Sequence, residues 1–148
     1  MKSLILLFTL IVSSTYAQTL DYNTKKGFAI NGYDLVAYFN GEAIEGDKAF
    51  IAKFDSINYK FSSEENLSLF NKNPKKYIPQ YGGYCAYALA IKNTKVSVNP
   101  KTFQIKDGKL YLFYNAWGTN TLELWNEQDA LSLQKKADNN WEAIKFKK

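Results

Sequence analysis

Residues 50–66 read Phe50-Ile51-Ala52-Lys53-Phe54-Asp55-Ser56-Ile57-Asn58-Tyr59-Lys60-Phe61-Ser62-Ser63-Glu64-Glu65-Asn66, and this stretch decides the fold class. Aromatic and β-branched residues on both sides of Asp55-Ser56-Ile57-Asn58 predict a hairpin with an aromatic inner face. Ser62-Ser63-Glu64-Glu65 then sets a hydroxyl three residues before a carboxylate, the pattern of a capping box, so a helix is expected to follow directly. Leu67 and Phe70 form its apolar stripe, and Asn73-Pro74 ends it.

The rest of the chain extends this hairpin-then-helix order. Upstream, Asn31-Gly32 and Asn40-Gly41 are tight-turn signals around residues 33–39, an apolar segment readable as a short strand or one buried helical turn. Downstream, Tyr77-Ile78-Pro79 and Gln80-Tyr81-Gly82-Gly83 lead into residues 84–91, an alanine-rich stretch predicted to be a helix that packs closely. Residues 102–105 and 109–114, joined across Lys106-Asp107-Gly108, predict a second hairpin. The end is expected to be helical, with Trp117, Leu122, Trp125, Leu131, Leu133, Trp141 and Ile144 as apolar positions and Asp129 and Asp138 as first-turn acids. Hairpins and helices without alternating βαβ order give an α+β class: a compact single domain with two short antiparallel hairpins and several helices.

Composition narrows the chemistry. All 19 basic residues of the 148-residue chain are lysine, the formal charge is +5, and there is no arginine, no histidine, one cysteine and one methionine. The absence of histidine removes Ser-His-Asp and Cys-His catalysis and every histidine-ligated metal site. The lysines are dispersed among carboxylates rather than gathered in a stripe, which argues against a nucleic-acid partner. No Asp-x-Asp-x-Asp-Gly run offers a calcium loop, and Glu64-Glu65 is accounted for by a helix start.

Residues 1–17 have the make-up of a secretory signal peptide: Lys2, an apolar run at 4–12 too short to span a bilayer, then Ser13-Ser14-Thr15-Tyr16-Ala17. The expected product is an exported, periplasmic or extracellular, domain over 18–148, with no transmembrane segment after cleavage. One cysteine cannot form an internal disulfide, so Cys85 would be a free thiol in an oxidising compartment.

Tyr59-Lys60-Phe61-Ser62-Ser63-Glu64-Glu65-Asn66, Phe70-Asn71-Lys72-Asn73-Pro74-Lys75-Lys76-Tyr77 and, loosely, Asp34-Leu35-Val36-Ala37 resemble the YHS domain over residues 32–77. With Tyr81-Gly82-Gly83-Tyr84-Cys85-Ala86, Asp107-Gly108-Lys109-Leu110-Tyr111 and Ala137-Asp138-Asn139-Asn140-Trp141, the chain is similar over nearly its whole mature length to secreted bacterial YHS-domain proteins and selenoproteins. The resemblance implies a YHS-like core with a C-terminal extension. It also implies that Ala37, Ser62 and Asn66 stand where metal-handling members carry cysteine, so neither a metal site nor a cofactor is expected. Cys85 falls where relatives can carry selenocysteine, which implies redox or nucleophilic chemistry.

Two readings of the candidate site follow. In one, Cys85 is the catalytic residue of a small thiol protein, sitting in the first turn of the 84–91 helix where unpaired amides and the helix dipole favour a thiolate. It has no resolving cysteine, so turnover would need an external thiol or a second subunit. In the other, Cys85 is a small apolar contact, and Tyr81, Gly82, Gly83, Tyr84 and Tyr87 form a ligand-binding surface for an unknown small ligand or partner protein. Tyrosines three apart share a helical face, and such a stripe, like Trp117, Trp125 and Trp141, is more often core.

Overall fold

The computed structural model describes residues 18–147, and the expected signal peptide at 1–17 lies outside the described residues. Strands β1 (Thr24–Lys25), β2 (Phe28–Ala29), β3 (Asp47–Phe54) and β4 (Ile57–Phe61) make one sheet in the order β1-β2-β4-β3. The β3–β4 hairpin is antiparallel, β1–β2 likewise, and β2 meets β4 in parallel through Phe28 and Asn58. The turn of the β3–β4 hairpin is tighter than the sequence predicted. Asp55 and Ser56 alone form it, at φ 47° and 66°, and Ile57 and Asn58 belong to β4. Positive φ at both central residues is the twist that continues strand pairing without splaying it.

Helix α1 (Glu64–Lys72) follows as expected, but its cap is shifted by one residue. The Ser63 hydroxyl accepts the Asn66 amide, and Ser62, the residue the capping-box reading used, points elsewhere. Phe70 on α1 carries the first core: its ring lies 5.0 Å from Tyr59, 4.9 Å from Phe61 and 6.4 Å from both Phe54 and Tyr77. A short α2 (Pro74–Tyr77) starts on proline, whose missing N–H costs nothing at a first helical position. The apolar segment at 33–39 is buried up to Tyr38 and runs into a 3₁₀ turn, Ala37–Asn40.

The second half builds a second core. Helix α3 (Ala86–Lys92) packs on α5 (Ala130–Ile144), and β5 (Phe103–Lys106) pairs with β6 (Lys109–Leu112). A further hairpin, β7 (Asn115–Ala116) with β8 (Thr119–Asn120), precedes α4 (Thr121–Asn126). Tyr81, Ala86, Leu89, Tyr111, Phe113, Trp125, Leu133 and Ala137 close this core, while β6 residues Leu110 and Leu112 belong to the first. Alternation along β6 therefore serves both cores, one from each face. The α+β class holds.

Three expectations change here. Trp117, expected in the core, is 96% exposed at the tip of the β7–β8 hairpin, which the sequence reading folded into a terminal helix. Asp129 is the N-cap of α5, accepting the Leu131 and Ser132 amides, but Asp138 lies in the middle of that helix rather than in a first turn. The helix read at 84–91 begins only at Ala86.

Candidate functional site

The two cores meet at the segment Gln80–Gly83, and the meeting leaves a cleft of about 550 Å³. Its walls come from the chain start (Tyr22), the β3–β4 turn (Phe54, Asp55), the segment itself (Tyr81, Gly82) and α5 (Asp138, Trp141, Glu142). Lys75 and Lys109 stand on its rim with opposite sign. Such a volume is within the range of small-molecule sites, and a junction between packed units is a usual place for one.

The segment is held in a strained shape. Tyr81 has φ 57° and Gly82 φ 59°. For a residue with a Cβ the left-handed region costs on the order of 1 kcal/mol or more, and it persists only where the surroundings fix it. They do so here. The Tyr81 hydroxyl donates to Asp138 at 2.8 Å, its ring packs 6.0 Å from Tyr111 and 6.4 Å from Trp141, and Asn23 donates its amide to the Gly82 carbonyl and its side chain to the Gly83 carbonyl. Glycine at 82 is required twice, since a Cβ would also collide with the Asp21 carbonyl.

Burial first, and then the Asp138 carboxylate it donates to, push the Tyr81 hydroxyl far above the ordinary tyrosine range. Tyr22 is pushed up to about 12 by burial and then by the charge of Asp55, to which it donates at 3.3 Å. Both phenols are therefore neutral donors at neutral pH. Each holds one carboxylate oxygen and leaves the other available, so Asp55 and Asp138 present oriented acceptors beside the Trp141 ring.

The six residues singled out from sequence do not form one surface. Tyr81 and Gly82 line the cleft, Gly83 is buried against Ile30, and Tyr84 lies 6.5 Å from Trp141. Tyr87 and Cys85 line a separate groove on the other side of α3. The shared helical face of Tyr81, Tyr84 and Tyr87 does not exist, because Tyr81 is left-handed, Tyr84 is extended at φ −80° and ψ 163°, and only Tyr87 is helical.

Cys85 is fully buried and is the N-cap of α3 rather than a first-turn residue, a correction of the expected placement. Its φ of −60° and ψ of 115° are extended, and its side chain makes no cap hydrogen bond. The sulfur instead closes a small ring. The Tyr114 amide donates to it at 3.3 Å, and the Thr121 Oγ1, whose own proton goes to the Tyr114 carbonyl at 2.8 Å, lies 3.3 Å away as the acceptor for the thiol proton. Each of the three groups has a partner within this ring.

Sequence reasoning missed the side chain that, among the described residues, accepts the most hydrogen bonds. Asp34 is fully buried, and one carboxylate oxygen accepts the Val36 amide at 2.8 Å and the Ala37 amide at 3.2 Å. The other accepts the Ser62 amide at 2.8 Å, the Ser62 hydroxyl at 2.7 Å and the Asn66 side chain at 2.7 Å. Ala37, Ser62 and Asn66, the three positions where the YHS resemblance would place cysteines, thus converge on one carboxylate. The available signal was an aspartate in an otherwise apolar 33–39 segment, which needs donors if buried. Among the described residues no group of three His, Cys, Asp or Glu side chains is placed to hold a metal ion, and no helix is long and apolar enough to cross a membrane. Comparison with protein families, curated proteins and solved structures found no match to this chain.

Proposed function

We propose that this chain is an exported, YHS-like binding module for a small ligand, with the ligand in the cleft at Tyr81 and Gly82 and with Cys85 as a packing residue. The observation that carries this reading is the strained Tyr81–Gly82 turn, fixed by Asn23, Asp138 and Trp141 at the wall of a 550 Å³ cleft. Backbone strain that several neighbouring side chains over-determine at the wall of a cleft is the kind that clusters at ligand sites. The lining gives the ligand its character: a ring or apolar face against Phe54 and Trp141, and hydroxyl or ammonium donors toward Asp55, Asp138 and Glu142. The convergence of Ala37, Ser62 and Asn66 on Asp34 supports the YHS-like reading, because a shared polar cluster can stand where a metal site stood.

The competing reading, redox or soft-ligand chemistry at Cys85, needs the sulfur to become reachable and its hydrogen-bonded ring to open. Amide-detected NMR titration separates the two. Mixtures of monosaccharides and of aromatic amino acids are added to the protein, to Trp141→Ala and to Cys85→Ala. Saturable shifts at Tyr81, Gly82, Asp138 and Asn139 that disappear in Trp141→Ala and survive in Cys85→Ala are expected. Silence at the cleft, together with rapid alkylation of Cys85 in the folded protein, transfers the function to the thiol.

A further inference from the structure

A groove beside α3 shares no lining residue with the cleft. It has a volume of about 400 Å³; Tyr87, Ala88 and Lys92 of α3, Val96 and Leu124 of α4 line it, together with Cys85 and the hydroxyl-bearing Tyr114, Thr119 and Thr121. This lining is mostly apolar, and Lys92 is the one charged residue in it. Lys92 is exposed and enters no salt bridge among the described residues. The groove therefore offers an apolar floor and one positive charge at its edge, with no carboxylate to receive a cation.

We propose that this groove binds an anionic amphiphile of the medium-chain carboxylate class, with its tail on Ala88, Val96 and Leu124 and its head paired with Lys92. Charge complementarity selects the anion. A neutral guest gains nothing from the solvated Lys92 ammonium, an anion gains an exposed ion pair with it, and an alkylammonium meets a like charge. The walls are joined by hydrogen bonds: the Cys85 amide donates to the Val96 carbonyl at 2.9 Å, the Thr121 amide donates to the Tyr114 carbonyl at 2.9 Å, and the Tyr114 amide, donating to the Cys85 sulfur at 3.3 Å, links the two pairs. Ligand sites of this size are usually preformed in this way.

The test uses decanoate below its micelle concentration, with decyltrimethylammonium and decanol as charge controls, in calorimetric and amide-NMR titrations of residues 18–148. One-to-one binding of decanoate with shifts at Ala88, Val96 and Leu124 is expected, with decyltrimethylammonium about tenfold to twentyfold weaker, the attraction at Lys92 being replaced by a repulsion of similar size. Lys92→Gln should weaken decanoate about threefold to fivefold, the scale of an exposed ion pair, without altering decanol. Lys92→Glu should weaken it further, and because this position is exposed neither variant threatens the fold. Leu124→Trp, checked for native circular dichroism, should fill the groove and remove binding. Equal binding of the alkylammonium, indifference to Lys92→Gln, or shifts at Tyr81 and Gly82 instead would each overturn the proposal. So would adsorption to phosphatidylglycerol vesicles that depends on Lys92 while monomeric decanoate fails to bind, because that result assigns the charge to a membrane surface.

Discussion

Asp34 and Cys85 are both wholly inaccessible to water and both accept hydrogen bonds from neighbouring segments, yet they do opposite work. Asp34 gathers five donors from three places: the 34–37 turn, the end of β4 and helix α1. Cys85 accepts one amide at 3.3 Å and gives one weak bond at 3.3 Å. Donors to a carboxylate make short, charge-assisted bonds, roughly twice as strong as neutral ones, whereas a thiol is a poor partner in either direction. The first half of the chain is thus clamped through a charge, and the second half is closed by apolar contact around a small side chain that other small side chains could replace.

The largest expected effect follows from the clamp. Asp34→Ala removes the acceptor from the Val36, Ala37 and Ser62 amides at once, and a buried donor left without a partner costs on the order of 1–3 kcal/mol. Urea unfolding should show a loss of about 3–5 kcal/mol, with Asp34→Asn intermediate because its amide presents an NH₂ to donors. A loss below about 1 kcal/mol would remove the contrast with Cys85.

The thiol side of the comparison predicts a small change. Cys85→Ala forfeits one weak bond to the Tyr114 amide and a little volume, so about 1 kcal/mol is expected, and Cys85→Ser should cost no more, since Tyr114 and Thr121 can satisfy a hydroxyl. In the same preparations iodoacetamide should modify the folded protein far more slowly than the urea-unfolded one. A costly Cys85→Ala, or equal rates, would make Cys85 a second clamp or a reactive group.

These two sites also mark what could be read in the sequence. The β3–β4 and β5–β6 hairpins, α1, the break at Asn73-Pro74 and the helical end were legible because period, turn residues and proline are local signals. Gly82 stands out in the sequence through the double glycine and Tyr81 through the spacing of the tyrosines, and both line the cleft. Asp34 was not legible, since its five donors come partly from residues 28 and 32 positions away and no local pattern encodes that convergence. Cys85 was misplaced by two backbone angles: Tyr84 and Cys85 are extended, which delays the helix to Ala86, and an alanine-rich stretch carries no mark of where its first turn begins. Trp117 was misread because aromatic content was taken for burial, while its true partner in the turn was the adjacent Gly118.

Trp117 gives the smallest effect and sharpens the contrast between the halves. Among the described residues four two-residue hairpin turns have positive φ at both positions, at Lys26-Gly27, Asp55-Ser56, Asp107-Gly108 and Trp117-Gly118. Asp107-Gly108 is a preferred pair for this turn, whereas Trp117 holds a bulky side chain at φ 54° and leaves it 96% exposed. It therefore bears backbone strain without the burial that usually compensates a large aromatic side chain. Trp117→Asn converts the turn to Asn-Gly and should raise stability by about 0.5–1 kcal/mol in urea unfolding, with Thr119 still on the groove wall and decanoate affinity unchanged. A destabilised Trp117→Asn would show that the indole makes a contact that offsets its strain. The second half would then be held in part by a surface residue, and its contrast with the buried Asp34 clamp would narrow.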